Sequence, residues 1–173
     1  MGTKQILTLM KIVSWILFIG LCIKLGALLI SGGISLFVDK EAAKDLYQGM
    51  DLSNLYEFSF KYYIYILSLL ISVSALKAYL FYLVTRVFSK IDFNQPFTTS
   101  IATIISSISY ISLWTGLLVY FANGFSKWLG KNGVIIAIDW GSSEFLFMAG
   151  IIFIIALIFK RGVEIQSENE LTV

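Results

Sequence analysis

Histidine is absent from the 173 residues, cysteine occurs once (Cys22) and proline once (Pro96). A lone cysteine inside an apolar run builds neither a disulfide framework nor a zinc site. The lack of histidine removes the histidine-dependent triads and haem-binding histidine pairs. Charge is scarce too: Asp, Glu, Lys and Arg make up 14% of the chain, against about a quarter in soluble domains. The net charge of +2 and the lack of a basic cluster argue against direct nucleic-acid binding. Any enzyme built from this set would work with carboxylates, lysines and hydroxyls alone. The expectation is a protein that is not an enzyme and holds no metal or cofactor.

What is abundant is apolar sequence, 58% of residues, with a mean hydropathy of +0.84. The length fits one domain, and the excess sits in long runs, each near the roughly 20 residues that cross a bilayer as a helix. Four such spans are expected at about 8–31, 61–85, 98–122 and 143–160. The first reads as a retained helix rather than a cleaved signal peptide, whose apolar region would be shorter. The segment 38–58 holds most of the charge, with Asp39, Lys40, Glu41, Lys44, Asp45, Asp51 and Glu57. Phe37, Leu46, Tyr47 and Met50 recur there at near-helical spacing. That predicts a short amphipathic helix ending near Gly49, either resting on the headgroups or capping a ligand. Pro96 fits the first turn of a helix and disfavours helix before it, so a tight link joins spans two and three. The glycines and lysines of 124–133 read as loop. Lys160-Arg161-Gly162 reads as a helix end followed by a polar tail over 162–173.

The fold class is therefore all-α: a four-helix antiparallel transmembrane bundle with a short interfacial helix between spans one and two. The segment 94–123 is its organising element. It is apolar enough to cross a bilayer yet carries nine serines and threonines from Thr98 to Thr115, plus Gly116. Such residues gain close approach and interhelical hydrogen bonds when a helix packs among others. Thr103, Ser106 and Ser107 are expected to face sibling helices. A polar conduction path is the competing use of the same stripe. Trp15, Trp114, Trp128 and Trp140 fall near the span boundaries, as an interfacial belt would place them.

Lys24 and Lys77 are the intramembrane charges, and such residues pair, snorkel or line water. Counting along the helix puts Lys24 in the half opposite the termini. There it meets Glu144 in an ion pair or snorkels outward alone. Lys77 is expected in the terminal half, bonding into the Thr103–Ser106–Ser107 stripe or snorkelling to headgroups. An even number of spans puts both termini on one side. Six cations flank that side against five on the other, which predicts cytoplasmic termini by the positive-inside rule.

Two segments, F-N-Q-P-F-T followed by the hydroxyl-rich helix and the closing F-K-R-G-V-E-I-Q-S-E-N-E-L-T-V, resemble a bacterial family of small membrane proteins catalogued as domain of unknown function 2975. Gln95 lengthens the Asn-Pro-Phe-Thr core expected at the first. The resemblance implies a four-helix protein of the bacterial inner membrane without an assigned activity, beside a cytoplasmic helix-turn-helix regulator. The leading expectation is an integral membrane scaffold or regulatory partner in the lipid bilayer. It acts through the turn (Asn94, Pro96, Phe97, Thr98) and the tail (Glu164, Asn169, Leu171). The alternative is a small transporter or immunity-type protein using Lys24, Lys77 and Glu144.

Overall fold

A computed structural model describes residues 2–91, 97–141 and 144–170. Among them no strand occurs, and the helices are α1 (Thr3–Phe37), α2 (Ser53–Phe58), α3 (Phe60–Lys90), α4 (Thr99–Lys131) and α5 (Glu144–Glu170), with a 3-10 turn at Lys40–Lys44. Four of these, α1, α3, α4 and α5, are long and apolar enough to cross a membrane. This is a multi-pass membrane protein. Within the most apolar stretch of each, 44% of α4 is buried, against 39% of α3, 11% of α5 and 6% of α1. The hydroxyl-bearing helix is the most enclosed, as its composition predicts.

The residues group into two compact units. The terminal unit holds Met1–Phe18, Tyr79–Gly116 and Ser143–Val173; the loop unit holds Ile19–Ala78 and Leu117–Ser142. In the terminal unit α3 and α4 run antiparallel, joined through Leu80, Leu83, Ile104 and Ile108. A second cluster sets Ile101 and Ile105 of α4 against Ala156 of α5. Gly116 allows a close α4–α5 approach: a Cβ there would lie 2.8 Å from Leu146 Cδ2 and 3.3 Å from its backbone nitrogen. Small residues permit such backbone contact between membrane helices, so the sequence reading of Gly116 holds.

The loop unit is a single apolar cluster in which irregular backbone supplies much of the core. Leu28, Tyr63, Ile66, Leu67 and Val73 from α1 and α3 pack with Ala43, Leu46, Leu52 and Leu55 from the segment after α1. That segment is not the one interfacial helix expected. Its helical pieces are separated by a turn in which Gln48 (φ 49°) and Gly49 (φ 80°) are left-handed. Asp39 accepts from the Glu41 amide, and the Leu52 amide donates to the Ala43 carbonyl at 2.8 Å, closing the segment on itself. Phe37, assigned by spacing to the apolar face, is 87% exposed, whereas Leu46 is 1% exposed. Burial of Ala43, Leu46, Leu52 and Leu55 makes the segment a folded cap.

Two helix ends also differ from expectation. The stretch from Gly124 does not open into a loop; α4 continues to Lys131. Leu129 is fully buried, and Phe125 and Trp128 stack at 5.8 Å with Tyr62 edge-on to both. That packing outweighs the ~1 kcal/mol cost of a helical glycine. The helix ends instead at Gly133 (φ 94°), where the Val134 amide reaches back to the Leu129 carbonyl, a glycine-closed Schellman end. Likewise α5 does not stop at Gly162 but runs to Glu170, so 162–170 is helix rather than loose tail. Gly162 provides room: a Cβ on it would lie 2.5 Å from Phe97 Cδ1.

Candidate functional site: the turn, the tail and the polar groups of the spans

The hydroxyls of α4 turn inward on their own helix. Thr103 donates to the Thr99 carbonyl, Ser106 to Ala102, Ser107 to Thr103 and Thr115 to Ile111, all at 2.7–2.9 Å. Each is a bond four residues back, the local option open to any helical serine or threonine. The expected placement of Thr103, Ser106 and Ser107 against sibling helices is met only in open grooves toward α3 and α5 and not in a packed interface: Thr103 is exposed and the two serines are only half-buried. The enclosed hydroxyls lie further along, at Ser109, Ser112 and Thr115. Thr98 has a different task, accepting from the Ile101 amide at 3.3 Å as α4 begins.

Lys77 is corrected as well. Its ammonium donates at 3.2 Å to the carbonyl of Trp140, in the segment after α4, instead of joining the Thr103–Ser106–Ser107 stripe. That segment, 134–141, is an extended strap with alternating burial: Val134 and Trp140 are enclosed while Ile135 is 87% exposed. Three side chains latch its end. Besides Lys77, Asn123 Nδ2 donates to the Gly141 carbonyl at 3.3 Å, and the Trp140 indole donates to Ser126 Oγ at 2.8 Å. Trp140 is therefore a core residue and not part of an interfacial belt. Sequence reasoning missed Asn123, Ser126 and Trp140 as a set. The apolar run from Val134 to Ile138 does not alternate in the sequence, so it carries no signal of an inward face.

Lys24 is half-buried, and its ammonium lies 5.7 Å from the centroid of the Tyr47 ring, a cation–π contact. The Lys24–Glu144 pair expected from sequence rests on the Glu144 side chain, which lies outside the described residues. Also in the loop unit, Tyr63 and Ser35 share a hydrogen bond of 2.5 Å, and Ser35 donates on to the Gly32 carbonyl. This relay fastens α3 to α1 where Leu67 lies against Gly32.

At the turn, Phe97 lies over Gly162 and 5.4 Å from the Phe159 ring. It joins the start of α4 to the far part of α5. Glu164 pairs with Arg161 at 2.7 Å on the exposed face of that helix. Asn94, Pro96 and Leu171 lie outside the described residues, as does the Asn169 side chain. The F-N-Q-P-F-T and F-K-R-G segments, separate in sequence, thus meet through Phe97, Phe159 and Gly162.

A family described as protein of unknown function (DUF2975) matches residues 46–173. The chain belongs to that family. The match starts inside the cap and takes in α2 to α5, so the DUF2975 region includes the second part of the cap, the strap and the Phe97 contact, while α1 and the 3-10 turn precede it. No curated protein and no solved structure matches the chain.

Proposed function

We propose that this DUF2975 protein is a non-enzymatic scaffold or regulatory partner of the bacterial cell membrane. It acts from the cytoplasmic side through the α3–α4 turn and the end of α5. The carrying observation is Phe97 on Gly162, which makes one surface from the two segments. Past that contact α5 stays helical to Glu170, with Glu164, Ile165 and Glu168 exposed. An acidic helix with an apolar residue on its outer face suits a soluble partner, and a cytoplasmic helix-turn-helix regulator is the class the family suggests. Lys77 and Lys24 are engaged locally by the Trp140 carbonyl and the Tyr47 ring, which favours this reading over a transporter built on those lysines.

The test is co-expression of the chain with such a regulator, followed by capture of the complex from solubilised membranes. Removing residues 164–173 is expected to lose the regulator while membrane insertion and helicity persist, and Phe97→Ala to weaken capture. Undiminished capture by the truncated chain would end the proposal.

A further inference from the structure

The terminal unit carries a groove between α3 and α4 that the proposed function leaves unused. We infer that it holds the phosphate of an anionic phospholipid, drawn from the leaflet at the end bearing the chain termini. The groove has a volume of about 320 Å³ and is lined by Tyr79, Leu83, Arg86, Ser100, Thr103 and Ser107 among others. Arg86, Thr99 and Ser100 stand near the α3–α4 turn, and the hydroxyls of Thr103 and Ser107 continue deeper beside Leu83, Ile104 and Tyr79. A guanidinium and hydroxyls at the mouth, with apolar walls beside them, suit a phosphate whose acyl chains stay in the lipid.

The cations support the reading. Arg86 and Lys90 stand four residues apart on α3 and so share a face, where like charges repel. Neither takes part in a salt bridge among the described residues. The Arg86 guanidinium lies 5.9 Å from the Tyr82 ring centroid, and Tyr82 in turn stacks with Tyr79 at 6.0 Å, so aromatic packing steadies the fork. Lys90 donates to Ser100 Oγ at 2.9 Å, which fastens the rim of the groove. A planar guanidinium matches phosphate oxygens two at a time.

The occupant follows from where the groove opens. It lies on two membrane-spanning helices, and Tyr82, about one turn from Arg86 and against its guanidinium, is 37% exposed. Interfacial tyrosines mark headgroup depth, and leaflets rich in acidic lipid attract cations placed just there.

The experiment uses the full chain in nanodiscs of phosphatidylcholine with or without phosphatidylglycerol, and reads retained lipid by native mass spectrometry. The chain is expected to retain phosphatidylglycerol over phosphatidylcholine. Arg86→Gln should lower that retention about tenfold, the loss expected for one charge-assisted bond. Lys90→Gln is a second variant at the rim, and Lys131→Gln, in the last turn of α4, is the control and should change nothing. Retention unaltered in both Arg86→Gln and Lys90→Gln would overturn the inference, as would an equal loss in Lys131→Gln, which would mean diffuse attraction. Displacement of the lipid by millimolar inorganic phosphate would likewise overturn it, by making a dissolved anion the ligand. Because the readout is lipid and not partner capture, its failure is separate from failure of the proposed function.

Discussion

In the loop unit much of the core is carried on irregular backbone, whereas the terminal unit packs helix on helix, its leucines and isoleucines closing beside glycine and alanine. Among the described residues, Trp140 and the leucines of the cap, Leu46 and Leu52, stand outside the long helices, while the terminal unit joins long helices across Gly116 and Ala156 and seats Phe97 on Gly162. The difference follows from the solvent. A cap and a strap join helix ends, where water drives burial of apolar surface. Along the spans lipid tails are as apolar as leucine, so only closer packing distinguishes protein from lipid. Large-to-small changes should therefore hurt the loop unit most, and small-to-large changes the terminal unit.

The largest effect is expected from Trp140→Ala. The side chain is 2% exposed and its indole bond to Ser126 is lost with it. Truncation of a buried tryptophan costs about 3–5 kcal/mol, to be read as loss of stability in detergent unfolding. The reciprocal change is Gly162→Ala. The added methyl would meet the Phe97 ring at 2.5 Å, so the ring must shift off α5. Overpacking costs about 1–3 kcal/mol and should also detach the turn from α5. Gly32→Ala gives the contrast, since there the new methyl meets Leu67 at 3.0 Å, an overlap relieved by a shift of a few tenths of an ångström. A smaller loss for Gly32→Ala would confirm that the depth of overlap decides the cost. Equal losses would erase the distinction.

Tyr63→Phe comes next. It removes one partner of the Ser35 bond while leaving Ser35 bonded to the Gly32 carbonyl, so no group is stranded. A loss of about 0.5–1.5 kcal/mol is expected by the same unfolding measurement. The cap adds a pH dependence. Asp51 accepts from both the Ser53 hydroxyl and the Ser53 amide, and these bonds hold its carboxyl below the usual carboxylate range. A depressed acid contributes stability above its unfolded value and loses it as pH falls through the folded one. The cap should thus be indifferent between pH 7 and 5 and loosen only under more acid conditions, read as faster amide exchange at α2. Asp51→Asn should flatten that acid limb.

The spans were legible because twenty apolar residues leave few alternatives, and Gly116 because a small residue in a hydroxyl-rich span has a packing use. Helix ends were less so. A glycine signals a stop only when nothing packs around it. Gly124 and Gly130 are carried inside α4 by Phe125, Trp128 and Leu129, and Gly162 is a gap for Phe97, a contact between residues 65 positions apart. The strap was obscured by composition, since Val134, Ile135, Ile136 and Ile138 are equally apolar though only some face the core. The sequence names the wrong partner for Lys77 because position along a helix gives depth and not neighbours. No count along α3 reveals that the carbonyl of Trp140 comes within its reach.

The smallest effect concerns the hydroxyls of α4, where sequence and structure part most instructively. A span rich in serine and threonine suggests bonds between helices, yet four of these hydroxyls donate to carbonyls of their own preceding turn. Those carbonyls already accept helical amides, so the hydroxyl bond satisfies the side chain and adds little to the backbone. Thr115→Val makes the clearest case, because the residue is fully buried and valine keeps its shape. Removing the hydroxyl leaves no unsatisfied partner, and replacement by an apolar group of like shape is nearly neutral. A change under about 0.5 kcal/mol is therefore expected. A loss above about 1.5 kcal/mol, the range of a buried bond whose partner is stranded, would mean that Thr115 serves another helix after all. The terminal unit would then be held by polar contacts in addition to close approach, and the contrast with the loop unit would narrow.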